Sequence, residues 1–213
     1  MNSRSHIGFW LILFLAGIFV TPYLISGDAM RTKLIRDVED IKRVLGPRIG
    51  GMIVSAATTV YDDTVGASGL RDGLDGMTHT ENDLQLAERV GSKLTVAAAK
   101  AADKYVQSLS MQIYAVMLRT AVIVAWIVLL LPLAVAVLID GYSARAKKFE
   151  TLGFQNPTAF SMSLHLAILV SVLPLLYLVV PIPVTPLFMP YWAVVAALPL
   201  SFAITHAQPI LTR

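Results

Sequence analysis

The sequence predicts an all-α integral membrane protein of about four transmembrane helices, with an extracytoplasmic helical domain between the first and the second. Three observations carry this. Of the 213 residues, 56% are hydrophobic and only 15% charged, against ~25% charged in ordinary soluble domains. Thr120 to Ile139 runs without a charge and ends in Asp140-Gly141, and ~20 residues at ~1.5 Å each cross a ~30 Å bilayer core. Leu164 to Ile204 contains no Asp, Glu, Lys or Arg over 41 residues. Charge is also segregated: residues 27–111 hold 11 Lys and Arg against 12 Asp and Glu, so the net +3 comes from the tail and loops. No basic stripe interleaved with aromatics exists away from the apolar runs, and direct nucleic-acid binding is not expected. The absence of cysteine excludes disulfides, zinc–thiolate sites and thiol nucleophiles.

Ile7 to Ile25 comes after Arg4 and the amino terminus, the arrangement of a signal peptide or a signal anchor. Its apolar part is long for a removable signal and it is succeeded by no clean small-x-small site, so an anchor is expected, with Pro22 kinking its exit. Met30, Leu34, Val38, Ile41 and Leu45 then recur at spacings of four and three among charged residues, an amphipathic helix that ends at Gly46-Pro47. A second short helix is expected over Ile49–Val65, with Ile49, Met52, Ile53, Ala56 and Val60 on one face. Gly66, Gly69, Gly73 and Gly76 predict a flexible acidic loop. Its aspartates lack the one-three-five spacing of a calcium loop, so no metal is expected there.

Thr80 and Asp83 form a helix N-cap, and no proline intervenes before Pro132, so one helix is expected from Glu81 into the central span. Val90, Leu94, Ala98, Ala102, Tyr105, Leu109, Ile113 and Val116 make its packing stripe, small at Ala98 and Ala102 and facing Leu34 and Val38 of the earlier helix. The core of a small helical domain and an oligomeric coiled coil are both compatible with it. Arg119, where stripe meets span, is expected to snorkel to the interface, with a buried functional charge as the alternative. After Leu164, two spans over about Leu164–Val180 and Tyr191–Ile204 join through a proline-rich turn, with Tyr191 and Trp192 as an interfacial belt. A re-entrant hairpin is the alternative, because the second segment is short and holds Pro199.

Between Ile139 and Leu164 lie Arg145, Lys147 and Lys148, whereas the turn from Pro181 to Pro190 is uncharged. The basic segment is therefore expected to be cytoplasmic, with both termini inside and the long first loop outside. The organisation predicted is a first transmembrane helix over 1–26, an extracytoplasmic helical domain or stalk over 27–118 and a second transmembrane helix over 119–141. A basic cytoplasmic loop over 142–162, a transmembrane hairpin over 163–206 and a cytoplasmic tail over 207–213 complete it.

The four histidines are not spaced as a metal pair, and no phosphate loop, nucleophile elbow or acidic residue within a span is present. His165 is expected to hydrogen-bond between helices. No enzyme activity, cofactor or metal is expected, and a transporter lacks its ionisable relay.

The stretch PLAVAVLIDGYSARAKKFETLGFQNPTAFSMSLHLAI resembles a family of unknown function, the inner-membrane proteins of integrating conjugative elements and related plasmids. The matching residues are Asp140, Gly141, Arg145, Lys147 and Lys148, although 156–162 lacks the arginine and histidine of the family pattern. Members are encoded beside the coupling ATPase that feeds DNA into a type IV secretion channel. The resemblance thus implies a non-enzymatic component of the bacterial inner membrane that docks or scaffolds that ATPase through these five residues. Other inner-membrane proteins of the apparatus, membrane lipid and further copies of the chain are the partners it implies. A sensor or signalling accessory subunit with an external helical domain is the competing class. At Asp140, a carboxylate at a helix C-terminus is unfavourable to the helix dipole, so Arg145 is expected as its partner and Gly141 as a left-handed cap.

Overall fold

The computed structural model describes residues 3–90, 93–150 and 156–207, and every regular element among them is a helix. In chain order these are α1 Ser3–Leu24, α2 Gly27–Tyr61, a π-helical turn Asp62–Gly66, α3 Leu70–Gly76, α4 Glu81–Val90, α5 Lys93–Glu150, α6 Pro157–Val179 and α7 Phe188–His206. Three of them, α5, α6 and α7, are long and apolar enough to cross a membrane, and α1 with the bent α2 raises the count to four. The chain divides into two compact units, one of Met1–Val122 with Leu175–Pro186 and one of Ile123–Pro174 with Leu187–Arg213.

In the first unit, α2 breaks where Gly46-Pro47 predicts. Gly46 has φ 82° and ψ 158°, a region open essentially to glycine alone. The two arms of α2 fold back on each other there: a Cβ on Gly50 would lie 2.8 Å from the Lys42 Cα. The first arm buries Met30, Lys33, Asp37 and Ile41, a face rotated from the expected stripe, so Leu34 and Val38 are only half-buried and line a groove with Tyr61 and Tyr114. The second arm buries Gly50, Ile53 and Ala57. Ile49, Met52, Ala56 and Val60, expected inside with Ile53, are exposed, because the fold-back is tightest on the glycine face.

The second arm meets α5 through polar contacts. The Tyr61 hydroxyl is 2.6 Å from Ser110 Oγ, the Thr58 hydroxyl is 3.0 Å from that of Tyr114, and the two tyrosine rings cross at 76°. The glycine-rich segment is not a plain loop, since Gly69 at φ 69° starts α3. Leu74 then packs with Val106 and Leu109, and burying three such side chains contributes roughly 1.5–3 kcal/mol each. Thr80 and Asp83 form the predicted N-cap, closed into a reciprocal box: the Asp83 N–H donates to Thr80 Oγ1 at 3.3 Å and the Thr80 N–H to Asp83 Oδ2 at 3.0 Å. The helix expected to start at Glu81 is described as α4 and α5, with residues 91 and 92 outside the described set. Among the described residues of α5 up to Arg119, Val96, Val106, Ser108, Leu109, Gln112, Ala115, Leu118 and Arg119 are buried, whereas Leu94, Ala98 and Ala102 are exposed within this chain.

In the second unit, α5 continues without interruption to Glu150. The basic segment expected as a loop over 142–162 is thus helical to Glu150, as Ala144, Arg145, Ala146, Lys147 and Lys148 favour, and helical again from Pro157, where α6 begins. α6 and α7 run 23 and 19 residues, ~34 and ~28 Å at 1.5 Å per residue. The α7 helix begins at Phe188, before the expected Tyr191, and it carries Pro199 inside it. His165 lies exposed on α6 and does not make the expected interhelical bond among the described residues.

Candidate functional site

Two polar constellations stand out, one in each unit. The first gathers the residues singled out in the sequence near the end of α5. Asp140 is exposed and its Oδ2 accepts from Ser201 Oγ of α7 at 3.2 Å. Gly141 is buried, and a Cβ on it would stand 3.0 Å from Ile204 Cβ. Its missing side chain therefore lets α7 approach; it is not a left-handed cap, because the helix continues past it. For the same reason Asp140 is not at a helix terminus, and its carboxylate does not face the unfavourable end of the helix dipole. Five residues of helix turn Asp140 and Arg145 about 140° apart, off the i,i+3 and i,i+4 spacing of facing pairs.

Arg145 and Lys148 lie four and seven residues after Gly141 and share its face. Lys147, seven after Asp140, shares the exposed one. Lys148 Nζ lies 3.0 Å from His206 Nε2, and the Asn156 N–H donates to His206 Nδ1 at 3.4 Å. His206, read in the sequence as one of four scattered histidines, thus ties the end of α7 to α5 and to the start of α6.

The second constellation is not visible in the sequence as a cluster. Arg119 is 1% exposed, the largest fully buried side chain among the described residues. Its Nε and Nη2 donate to Asp37 Oδ2 at 3.2 and 3.0 Å. Nη1 donates to the carbonyls of Tyr177 and Val180 at 2.7 and 2.8 Å, and Nη2 to that of Ile182 at 2.7 Å. The guanidinium lies 5.1 Å from the centroid of the Tyr177 ring. Two turns earlier on the same face, Gln112 Nε2 donates to the Val179 carbonyl at 3.2 Å. The last carbonyls of a helix have no partner within it and attract positive charge. Arg119 is therefore a clasp: it caps α6, holds the chain beyond it, and fastens both to α2. The expected snorkelling arginine is instead the buried one.

Lys33, a turn before Asp37, is also buried, and neither its Nζ nor Asp37 Oδ1 meets a hydrogen-bond partner among the described residues. Burial, with repulsion from Arg119 added, pushes Lys33 down to about 8 against the pull of Asp37. Burial likewise raises Asp37 above the usual carboxylate range, against the pull of Arg119 and Lys33. The sequence held one usable signal: Lys33 and Asp37 fall on the same helical face as Met30 and Ile41, at offsets of three, seven and eleven.

No curated protein and no solved structure matches the chain. Residues 26–212 match the family described as IncC plasmid conjugative DNA transfer protein DtrJ-like. The match begins after α1 and takes in both the Arg119 clasp and the Asp140–Lys148 cluster, and the family implies a role in conjugative DNA transfer. The chain belongs to the DtrJ-like family of conjugative DNA transfer proteins.

Proposed function

We propose that the protein is a non-enzymatic inner-membrane component of the conjugative DNA-transfer apparatus, docking the coupling ATPase at the cytoplasmic face through the helical extension after Asp140. The observation that carries the membrane part is the apolar surface of the long helices. On α5, Val128, Leu129 and Ile139 are 62, 55 and 62% exposed, and a continuous apolar surface of that size belongs in contact with lipid or another protein. Arg145, Lys147 and Lys148 lie beyond one end of it, which by the positive-inside rule is the cytoplasmic end. The lengths of α6 and α7 favour two full spans over a re-entrant hairpin; on this reading, with α1 as the first span, both termini are inside and residues 27–118 outside.

Single cysteines in this cysteine-free chain test the orientation. Ser68→Cys is expected to react with a membrane-impermeant maleimide in intact spheroplasts, and Lys147→Cys only after permeabilisation; the reverse pattern overturns the topology. For docking, Asp140→Asn combined with Lys147→Gln is expected to lower transfer frequency and co-purification of the ATPase together. If both survive with membrane insertion unchanged, the cluster is only a topological anchor.

A further inference from the structure

The second unit contains a groove of about 230 Å³ between α5 and α7. Its floor is made by Ala134 of α5 and by Ala193, Ala196 and Ala197 of α7, and its walls by large aliphatic residues. Among the residues that line it, Trp192 alone carries a polar side-chain group, and that group is already used: Trp192 Nε1 donates to the Val170 carbonyl at 2.7 Å. From Ile127 to Val137 the groove runs along α5 for ~15 Å, half of the ~30 Å hydrocarbon core. It stops where Gly141 and Ile204 close the seam. Beyond that closure, on the same face of α5, stand Arg145 and Lys148.

We infer that this face binds one anionic phospholipid of the cytoplasmic leaflet, with an acyl chain in the groove and the headgroup at Arg145 and Lys148. The inference rests on the membrane reading and orientation proposed above. Three features select this occupant. The groove is one leaflet long, whereas a spanning helix of a second copy needs contact over twice that length. It begins about three residues, ~5 Å, inside Asp140, where acyl chains start. Arg145, five residues beyond Asp140, reaches headgroup depth, and cations between helices at the cytoplasmic side are suited to anionic headgroups. Lys147 lies off this face, so lipid and a docked protein use different sides of one helix.

The test uses the full chain in proteoliposomes containing phosphatidylglycerol or phosphatidylcholine with a mid-chain diazirine. After photolysis, phosphatidylglycerol adducts are expected to concentrate on residues 127–137 and 193–200 of the wild-type chain. Unlabelled phosphatidylglycerol, and not phosphatidylcholine, should displace them. Lys148→Gln is expected to weaken that preference about fivefold, the equivalent of ~1 kcal/mol per cation near an anionic surface. Ala197→Trp should remove the adducts. Adducts spread evenly over the apolar faces of α5, α6 and α7, or equal displacement by the two lipids, would overturn the site. So would efficient Ala197→Cys disulfide dimers in the membrane, which would assign the groove to a second copy. Failure of the membrane reading itself is separately visible, as release of the protein from membranes by alkaline carbonate.

Discussion

Replacing Arg119 by leucine removes the guanidinium from an almost dry site. The substitution leaves Asp37 buried without its counter-ion and deprives the carbonyls of Tyr177, Val180 and Ile182 of their donor. Breaking a buried ion pair from one side costs ~3–5 kcal/mol. For a chain of this size each kcal/mol moves the melting temperature by roughly 2–4 °C, so a fall on the order of 6–20 °C is expected in mild detergent, monitored by circular dichroism. The pH dependence identifies the cause. Without Arg119 the folded-state pKa of Asp37, already raised by burial, rises further, and the folded protein then binds a proton that the unfolded chain releases. Stability of the variant therefore falls as pH climbs from the ordinary carboxylate value of 3.8 through the raised folded value. Arg119→Leu should thus melt higher at pH 5.5 than at pH 7.5, relative to wild type at each pH. A melting temperature within about 2 °C of wild type, or a deficit identical at both pH values, would refute the clasp.

Lys33→Met should stabilise the protein at neutral pH, because the folded state disfavours the charged amine. In wild type the Lys33 contribution makes stability rise with pH between about 8 and 10.5, and chemical denaturation across that window should show the rise flattened in the variant. Gly141→Leu drives a side chain into Ile204 and is expected to cost ~1–3 kcal/mol of overpacking; Ile204→Ala in the same chain should recover much of the lost melting temperature. Ala98→Asp, on an exposed face within the chain, is expected to change stability by less than ~0.5 kcal/mol. A larger loss accompanied by a smaller particle in size-exclusion chromatography would show that this face joins copies of the protein.

The long apolar helices were legible because length and lack of charge are summed over twenty residues, and no single error matters. The break at Gly46-Pro47 and the box at Thr80 and Asp83 were legible because each is closed within four residues. The clasp was not. Arg119 finds Asp37 at a separation of 82 residues and the carbonyls at the end of α6 and just beyond it at 58 to 63, and a charge at the edge of an apolar run reads locally as an anchor whether it faces lipid headgroups or a protein interior. The rotated face of α2 failed for the same reason: Leu34 and Val38 are more apolar than Lys33 and Asp37, yet the pairing of Asp37 with Arg119 turned that face inward and Lys33 with it. His206 drew attention neither by spacing nor by neighbours, since Lys148 is 58 residues away.

Gly46 and Gly141 show how one residue type yields opposite structures according to the residues on its C-terminal side. Proline after Gly46 forbids helical continuation, and the chain takes a positive φ and folds back. After Gly141 come Tyr142 and Ser143 and then alanine, arginine and lysine, which sustain a helix, so glycine there supplies only proximity to Ile204. The consequence reaches the proposed docking. A flexible basic loop would present its charges in no fixed order, whereas a helix extending nine residues past Gly141, ~14 Å, sorts them. Asp140 and Lys147 fall on the exposed side; Gly141, Arg145 and Lys148 fall on the side that meets α7. A protein partner reading this extension would therefore meet a rigid row of Asp140 and Lys147, while Arg145 and Lys148 stay on the side that meets α7, Lys148 against His206.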